Sequence, residues 1–100
     1  MKTVITTLIV CFALSSHAAD YQAEEVANGF NVPWGIEFID EKQAVVNEKN
    51  GTISLLNIET GQREKLFSVS GVSTTGQGGL LDVALAPNTD KTRPTLFFTY

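Results

Sequence analysis

Short apolar stretches separated by turn residues recur along this chain. The stretches are residues 34–39, 43–49, 52–58 and 64–69. Apolar and polar residues alternate in the first of them, so that Trp34, Ile36 and Phe38 fall on one face of a strand. Asn50-Gly51 is a strong hairpin signal, which predicts a turn with positive φ at both residues. The pattern predicts a four-stranded antiparallel meander.

The same pattern starts again after a polar, glycine-containing loop at 70–79. Residues 83–86 can be laid over 36–39, and 96–98 over 44–46, which gives a repeat of about 47 residues. Repeats of roughly 40–50 residues are typical of β-propeller blades, which must stack on one another to bury their faces. We therefore predict an all-β chain that holds one blade and part of the next. Because it stops inside an apolar strand, we expect it to be the N-terminal part of a longer protein.

Residues 1–18 have the pattern of a secretory signal peptide. Lys2 precedes an apolar stretch at 4–14, and Ser16-His17-Ala18 offers small residues at the cleavage positions. The apolar stretch is short for a membrane span, so we expect no stable membrane anchor. The sequence thus predicts export to the periplasm or secretion, with residues 19–100 as the exported domain.

Removal of this segment limits the chemistry of what remains. The single cysteine, Cys11, and the single histidine, His17, are both lost with it. Residues 19–100 then contain no thiol nucleophile, no imidazole base and no pair of cysteines for a disulfide. Six basic residues stand against eleven acidic ones, a net charge of −5. Such a charge argues against nucleic acid or an anionic membrane surface as a partner.

The glycine-rich segment GQGGLLDVALAP, residues 76–87, invites a phosphate-binding interpretation, which fails. Residues 71–78 have the glycine spacing of a Walker A loop, but Gln77 and Gly78 occupy the lysine and hydroxyl positions. Leu81 replaces the third glycine of a GxGxxG motif, and no helical pattern follows. The glycines suit a tight approach to the inner strand of a second blade. Gln77 is more specific, since an amide on a loop at the mouth of that strand can bind a ligand in the central cavity.

Three segments together resemble the soluble PQQ-dependent aldose sugar dehydrogenases, the glucose/sorbosone dehydrogenase family. NVPWGIEF at 31–38 resembles that family's P-W-G-L-A-F, and NEKNG at 47–51 resembles T-E-R-x-G. GQGGLLDVAL at 76–85 matches G-Q-G-G-L-L-D-V-A-L closely and is the most specific of the three. The segments occur in the family's order, and the resemblance covers residues 29–100.

The resemblance implies the first blade and part of the second of a six-bladed β-propeller. It implies PQQ over the central channel, calcium beside it, and an aldose that loses hydride from its anomeric carbon to PQQ, with an external electron acceptor to follow. Gln77 inherits the role of the glutamine that hydrogen-bonds PQQ. The family's catalytic histidine, basic PQQ ligands and calcium ligands lie further downstream, so no catalytic or metal residue is assigned here. We expect residues 19–100 alone to be inactive; the alternative is a non-catalytic periplasmic propeller that binds a carbohydrate or a protein partner.

Several positions depart from the family pattern or allow two interpretations. Glu37 stands where the family usually has a small residue, and Lys49 replaces an arginine that could pair in a bidentate manner. Asp82 could serve as a calcium ligand or a base, but we favour a hydrogen bond to neighbouring backbone amides. Trp34 could stack on a sugar or cofactor ring, whereas its alternation with Ile36 and Phe38 favours the core.

Overall fold

The computed structural model describes residues 19–100, and their regular structure consists entirely of strands. The predicted signal peptide at 1–18 lies outside the described residues. The strands are β1 Pro33–Phe38, β2 Gln43–Glu48, β3 Thr52–Asn57, β4 Arg63–Ser68, β5 Asp82–Leu85 and β6 Leu96–Thr99. They form an antiparallel sheet of order β1-β2-β3-β4 and an antiparallel pair, β5-β6. The all-β prediction is confirmed, and so is the arrangement of one four-stranded blade followed by part of the next. Within residues 19–100, no helix is long and apolar enough to cross a membrane.

The hairpin between β2 and β3 is where predicted, but its turn has a different geometry. The Gly51 amide donates to the Glu48 carbonyl at 2.9 Å, and Gly51 has a φ of +102°. Asn50 is not among the described residues with positive φ, and its Oδ1 accepts a hydrogen bond from the Thr52 amide at 3.0 Å. The predicted positive φ at both residues is therefore wrong. A three-residue loop needs positive φ only at its last residue, and the asparagine side chain stabilises the turn instead.

The hydrophobic core lies between the two sheets. Val45 and Ile53 contribute to it from the first sheet, and Val83 from the second. Ile39, directly after β1, and Leu80, in the loop before β5, complete it. The strand residues among them face inward because strand side chains alternate between the two faces. Strands β1 and β5 are also linked, since the Leu85 amide in β5 donates to Glu37 Oε1 in β1 at 3.4 Å. The β5-β6 pair thus stacks on the first sheet as a second blade would.

The opposite face of β1 remains open in the described part of the chain. Trp34, Ile36 and Phe38 are 47%, 51% and 54% exposed. Trp34 and Ile36 line a cavity of about 440 Å³ together with Phe30 from the preceding segment. The favoured core position of Trp34 is therefore not borne out within residues 19–100. The second sheet packs on the other face of β1, so the predicted alternation is observed, and the face that carries Trp34 is not the one that this sheet covers.

The segment before β1 is attached to the first sheet. Arg63 in β4 donates from Nη2 to the Gly29 carbonyl at 2.8 Å, and its guanidinium carbon lies 4.5 Å from the centre of the Phe30 ring. The buried Glu48 carboxylate accepts a hydrogen bond from the Asn31 amide. A charged acceptor and a cation–π contact thus fix the path by which the chain enters β1.

Candidate functional site

The glycine-rich loop before β5 packs closely on itself and on Lys49. A Cβ on Gly78 would lie 2.6 Å from the Ser73 carbonyl oxygen, and one on Gly79 would lie 2.6 Å from Lys49 Cγ. Gly79 also has a φ of +150°, a conformation that residues with side chains rarely adopt. These glycines therefore permit close backbone approach, which is the structural role that their sequence pattern indicated.

Lys49, directly after β2, is attached to three separate segments. Its amide donates to the Val32 carbonyl at 2.9 Å, and its carbonyl accepts a hydrogen bond from the Leu80 amide at 3.0 Å. Its ammonium donates to the Gly76 carbonyl at 2.9 Å. From the sequence, Lys49 was notable only because it replaces the arginine of the family pattern. Its contacts with the loop could not be read from the sequence because the partners lie about 30 residues further along.

Asn47, two residues before Lys49, holds the other side of Leu80. Its buried amide donates from Nδ2 to the Leu80 carbonyl at 3.3 Å. Asn47 Oδ1 is buried and has no hydrogen-bond partner among the described residues. A Cβ on Gly35 would overlap this oxygen, so the glycine in β1 makes room for the amide. The amide and the carbonyl of Leu80 are thus both hydrogen-bonded, to Lys49 and Asn47 at the end of β2. These bonds fix the position at which the loop joins β5.

Val32 approaches the same point in an unusual conformation. It has a φ of +52°, which is rare for a β-branched residue. Its carbonyl nevertheless accepts the hydrogen bond from the Lys49 amide. A cleft of about 280 Å³ lies here between Val32, Lys49 and Thr74. The strained segment before β1 and the glycine-rich loop therefore meet on the two sides of Lys49.

Gln77 lies on the loop before β5, as the sequence predicted, and it is exposed. Its neighbours on both sides are restrained, since Gly76 accepts from Lys49 Nζ and the Gly78 amide donates to the Thr75 carbonyl at 3.0 Å. The Gln77 side chain forms no hydrogen bond with another described residue. Its amide therefore keeps two donors and an acceptor for a ligand. That this ligand is a cofactor stays a prediction.

The acidic residues near the loop do not form a metal centre in the part of the chain described. Asp82 is exposed, and its Oδ1 accepts a hydrogen bond from the Val83 amide at 2.8 Å. The favoured interpretation of Asp82 as a partner of a backbone amide is confirmed. Glu37 is occupied by the Leu85 amide. Residues 19–100 contain no group of three or more histidine, cysteine, aspartate or glutamate residues arranged to hold a metal ion.

Comparison with known proteins adds independent information. A sequence model of the glucose/sorbosone dehydrogenase family matches residues 30–100. The PQQ-bound aldose sugar dehydrogenase from Streptomyces coelicolor is 38% identical, with a TM-score of 0.62 over 65% of this chain and 20% of that one. An uncharacterized protein from Synechocystis sp. is 27% identical over 95 residues, covering 87% of this chain and 23% of that protein. The chain therefore spans less than a quarter of the length of either relative.

Proposed function

The chain belongs to the glucose/sorbosone dehydrogenase family, and on this premise we propose that it forms part of a PQQ-dependent sugar dehydrogenase. In this proposal it supplies the first blade and part of the second of a six-bladed propeller, exported to the periplasm or secreted. The substrate is an aldose, and an external acceptor takes up the electrons. The observation that carries the proposal is the free Gln77 amide on a loop anchored at both ends.

The residues of the loop fit the cofactor that the family implies. PQQ carries quinone and carboxylate oxygens, which accept hydrogen bonds. The Gln77 side chain is exposed and can donate two hydrogen bonds without adding charge. Its loop is already held by Lys49 and by its own turn, so little conformational entropy is lost when a ligand binds. Gln77 would therefore bind and orient PQQ.

The remaining chemistry is assigned outside these residues. When bound, PQQ would supply the oxidising group for removal of hydride from the anomeric carbon, and a base would be needed to accept the hydroxyl proton. Residues 19–100 contain neither histidine nor cysteine, so we place that base elsewhere in the protein. The same holds for calcium, because no described cluster of acidic residues fits it. We accordingly propose that residues 19–100 alone do not catalyse the reaction.

The test is PQQ binding to the full-length protein and its variants. Q77A removes the amide and should weaken PQQ binding about 10-fold, as expected for loss of a hydrogen bond to a charged or strongly polar group. Q62A is the matched control, since Gln62 is a glutamine in the turn between β3 and β4, away from the loop. Isothermal titration of the apo-protein with PQQ gives the affinities.

The outcomes separate the proposal from its alternative. Weaker binding in Q77A with unchanged binding in Q62A supports the cofactor site. Equal PQQ affinity in both variants and the wild type would remove Gln77 from that site. A folded wild-type protein that binds a sugar or protein partner but not PQQ would support the non-catalytic propeller instead.

A further inference from the structure

The segment 76–80 is attached to Lys49 at both of its ends. At the start, Lys49 Nζ donates to the Gly76 carbonyl at 2.9 Å. At the end, the Leu80 amide donates to the Lys49 carbonyl at 3.0 Å. Between these bonds, the side chain of Lys49 runs against Gly79, where a Cβ would lie 2.6 Å from Lys49 Cγ. One residue of the first blade therefore spans the whole segment that carries Gln77.

The two attachments differ in what they depend on. The bond at Leu80 uses main-chain atoms of Lys49, whereas the bond at Gly76 needs the ammonium group. Gly76 has a φ of +59°, and a Cβ placed on it would meet no atom within 4 Å. The position of a Cβ on Gly76 is therefore open in the described part of the chain. The bond from Lys49 holds the Gly76 carbonyl, in addition to the turn that the Gly78 amide closes on the Thr75 carbonyl.

The Gly76 carbonyl is part of the same rigid peptide unit as the Gln77 nitrogen. Because the peptide bond is planar, fixing the direction of this carbonyl fixes the plane from which residue 77 begins. The direction of the Gln77 side chain follows from that plane and from the turn closed between Thr75 and Gly78. A change at the Lys49 ammonium is thus transmitted to Gln77 through one peptide unit.

We propose that Lys49 is a positioning residue for the cofactor loop, which orients Gln77 through the hydrogen bond from Nζ to the Gly76 carbonyl. The inference rests on the proposed role of Gln77 in PQQ binding and adds a second residue to it. Lys49 acts through Gln77 and need not touch the cofactor itself.

The experiment is a double-mutant cycle in the full-length protein, with PQQ affinity measured by titration of the apo-protein. K49M keeps the stem that lies against Gly79 but removes the ammonium, and should weaken PQQ binding about 3- to 10-fold. K49R restores a charged donor and should recover most of the affinity. In a Q77A background, K49M should cause no further loss. K42M is the matched control, since Lys42 forms an exposed ion pair with Glu59 at 3.4 Å.

The melting temperature of each apo-protein distinguishes an effect on the position of the loop from an effect on the stability of the fold. K49M should melt close to the wild type, because both main-chain bonds of Lys49 remain. If K49M melts at a lower temperature than the wild type, K49Q serves as a second test of the positioning role. The glutamine retains Cγ against Gly79, but it is too short to replace the ammonium. K49Q should therefore show the same loss of PQQ affinity.

Four results would overturn the inference. K49M and K49Q could both bind PQQ as tightly as the wild type, or K49M could lose as much affinity with Q77A as without it. The second result would mean that Lys49 acts on PQQ independently of Gln77. An equal loss in K42M would assign the effect to net charge. If Q77A itself leaves PQQ binding unchanged, the proposed function of Gln77 fails, and this inference fails with it.

Discussion

Gly79 lies so close to Lys49 that a Cβ on the glycine would be 2.6 Å from Lys49 Cγ and 2.9 Å from the Lys49 carbonyl oxygen. The Leu80 amide, one residue further, donates to that same oxygen at 3.0 Å. The absence of a side chain at position 79 is thus what allows this hydrogen bond to form. The glycine-rich loop takes its position from this contact with the end of β2.

Substitution of Gly79 should therefore cost more than substitution of another glycine in the same loop. G79A adds a clash with Lys49 to the strain of its φ of +150°, whereas G71A adds strain alone, since nothing lies within 4 Å of a Cβ there. We expect G71A to lower the free energy of unfolding by about 1–2 kcal/mol. G79A should lower it by a further 1–3 kcal/mol or so. Urea unfolding of the full-length variants measures both, and equal losses would contradict the clash.

Gly35 and Asn47 should behave as a coupled pair. G35A places a methyl group against Asn47 Oδ1, and N47A removes the donor to the Leu80 carbonyl. Each single variant should lose about 1–3 kcal/mol of unfolding free energy. The double variant should lose clearly less than the sum, because N47A also removes the oxygen that the methyl group of G35A meets. Losses that add to within about 0.5 kcal/mol would show that the two residues do not compete for space.

Asp90 should titrate below its ordinary range. The Thr92 hydroxyl, and after it the Thr92 amide, donate to Asp90 Oδ1 at 2.7 and 2.8 Å, and these bonds lower the pKa of the Asp90 carboxyl. The folded pKa is depressed, so the contribution to stability is present above the unfolded value of about 3.9 and is lost as the pH falls through the folded value. T92A should raise the pKa of Asp90 towards its ordinary value. Carboxyl chemical shifts followed by NMR measure it, with T74A in the loop before β5 as control, and no change in T92A would contradict the assignment.

Residues 19–100 expressed alone should self-associate. Trp34, Ile36 and Phe38 present a half-exposed apolar face, and apolar patches with free strand edges associate readily. Size-exclusion chromatography should show oligomers or aggregates, which the triple variant W34S/I36T/F38S should reduce. A monomer of the unaltered segment with a cooperative thermal transition would contradict this expectation.

The strands were predictable from the sequence because their signals are local. Apolar stretches and turn residues placed β2 and β3 within one residue of their observed ends. The turn at Asn50-Gly51 was predictable as a hairpin but not in its φ values, since the outcome depended on the bond from the Thr52 amide to Asn50 Oδ1. The face of β1 that the second sheet covers was not predictable either. It depends on where the second sheet packs, which the alternation does not specify.

The candidate site was predictable in part for the same reason. The glycines around Gln77 indicated a tightly packed loop and an available amide, and the structure has both. The residues that hold this loop were missed, because Asn47 and Lys49 meet it only after the two sheets stack. One signal for Asn47 was present in the sequence. It is a polar residue at an inward position, two residues after Val45, where the strand pattern favours an apolar one.

Two of the three links made by Lys49 use its main chain, and this has a consequence for how the loop can evolve. Every residue except proline has both the amide that donates to Val32 and the carbonyl that accepts from Leu80. Homologous proteins can therefore carry a different side chain at position 49 while the loop keeps its attachment to the main chain there. Gly79 cannot be replaced in the same way, because any side chain there would clash with Lys49. Selection at position 49 can adjust the orientation of Gln77 gradually, whereas a change at position 79 would displace the whole loop in a single step.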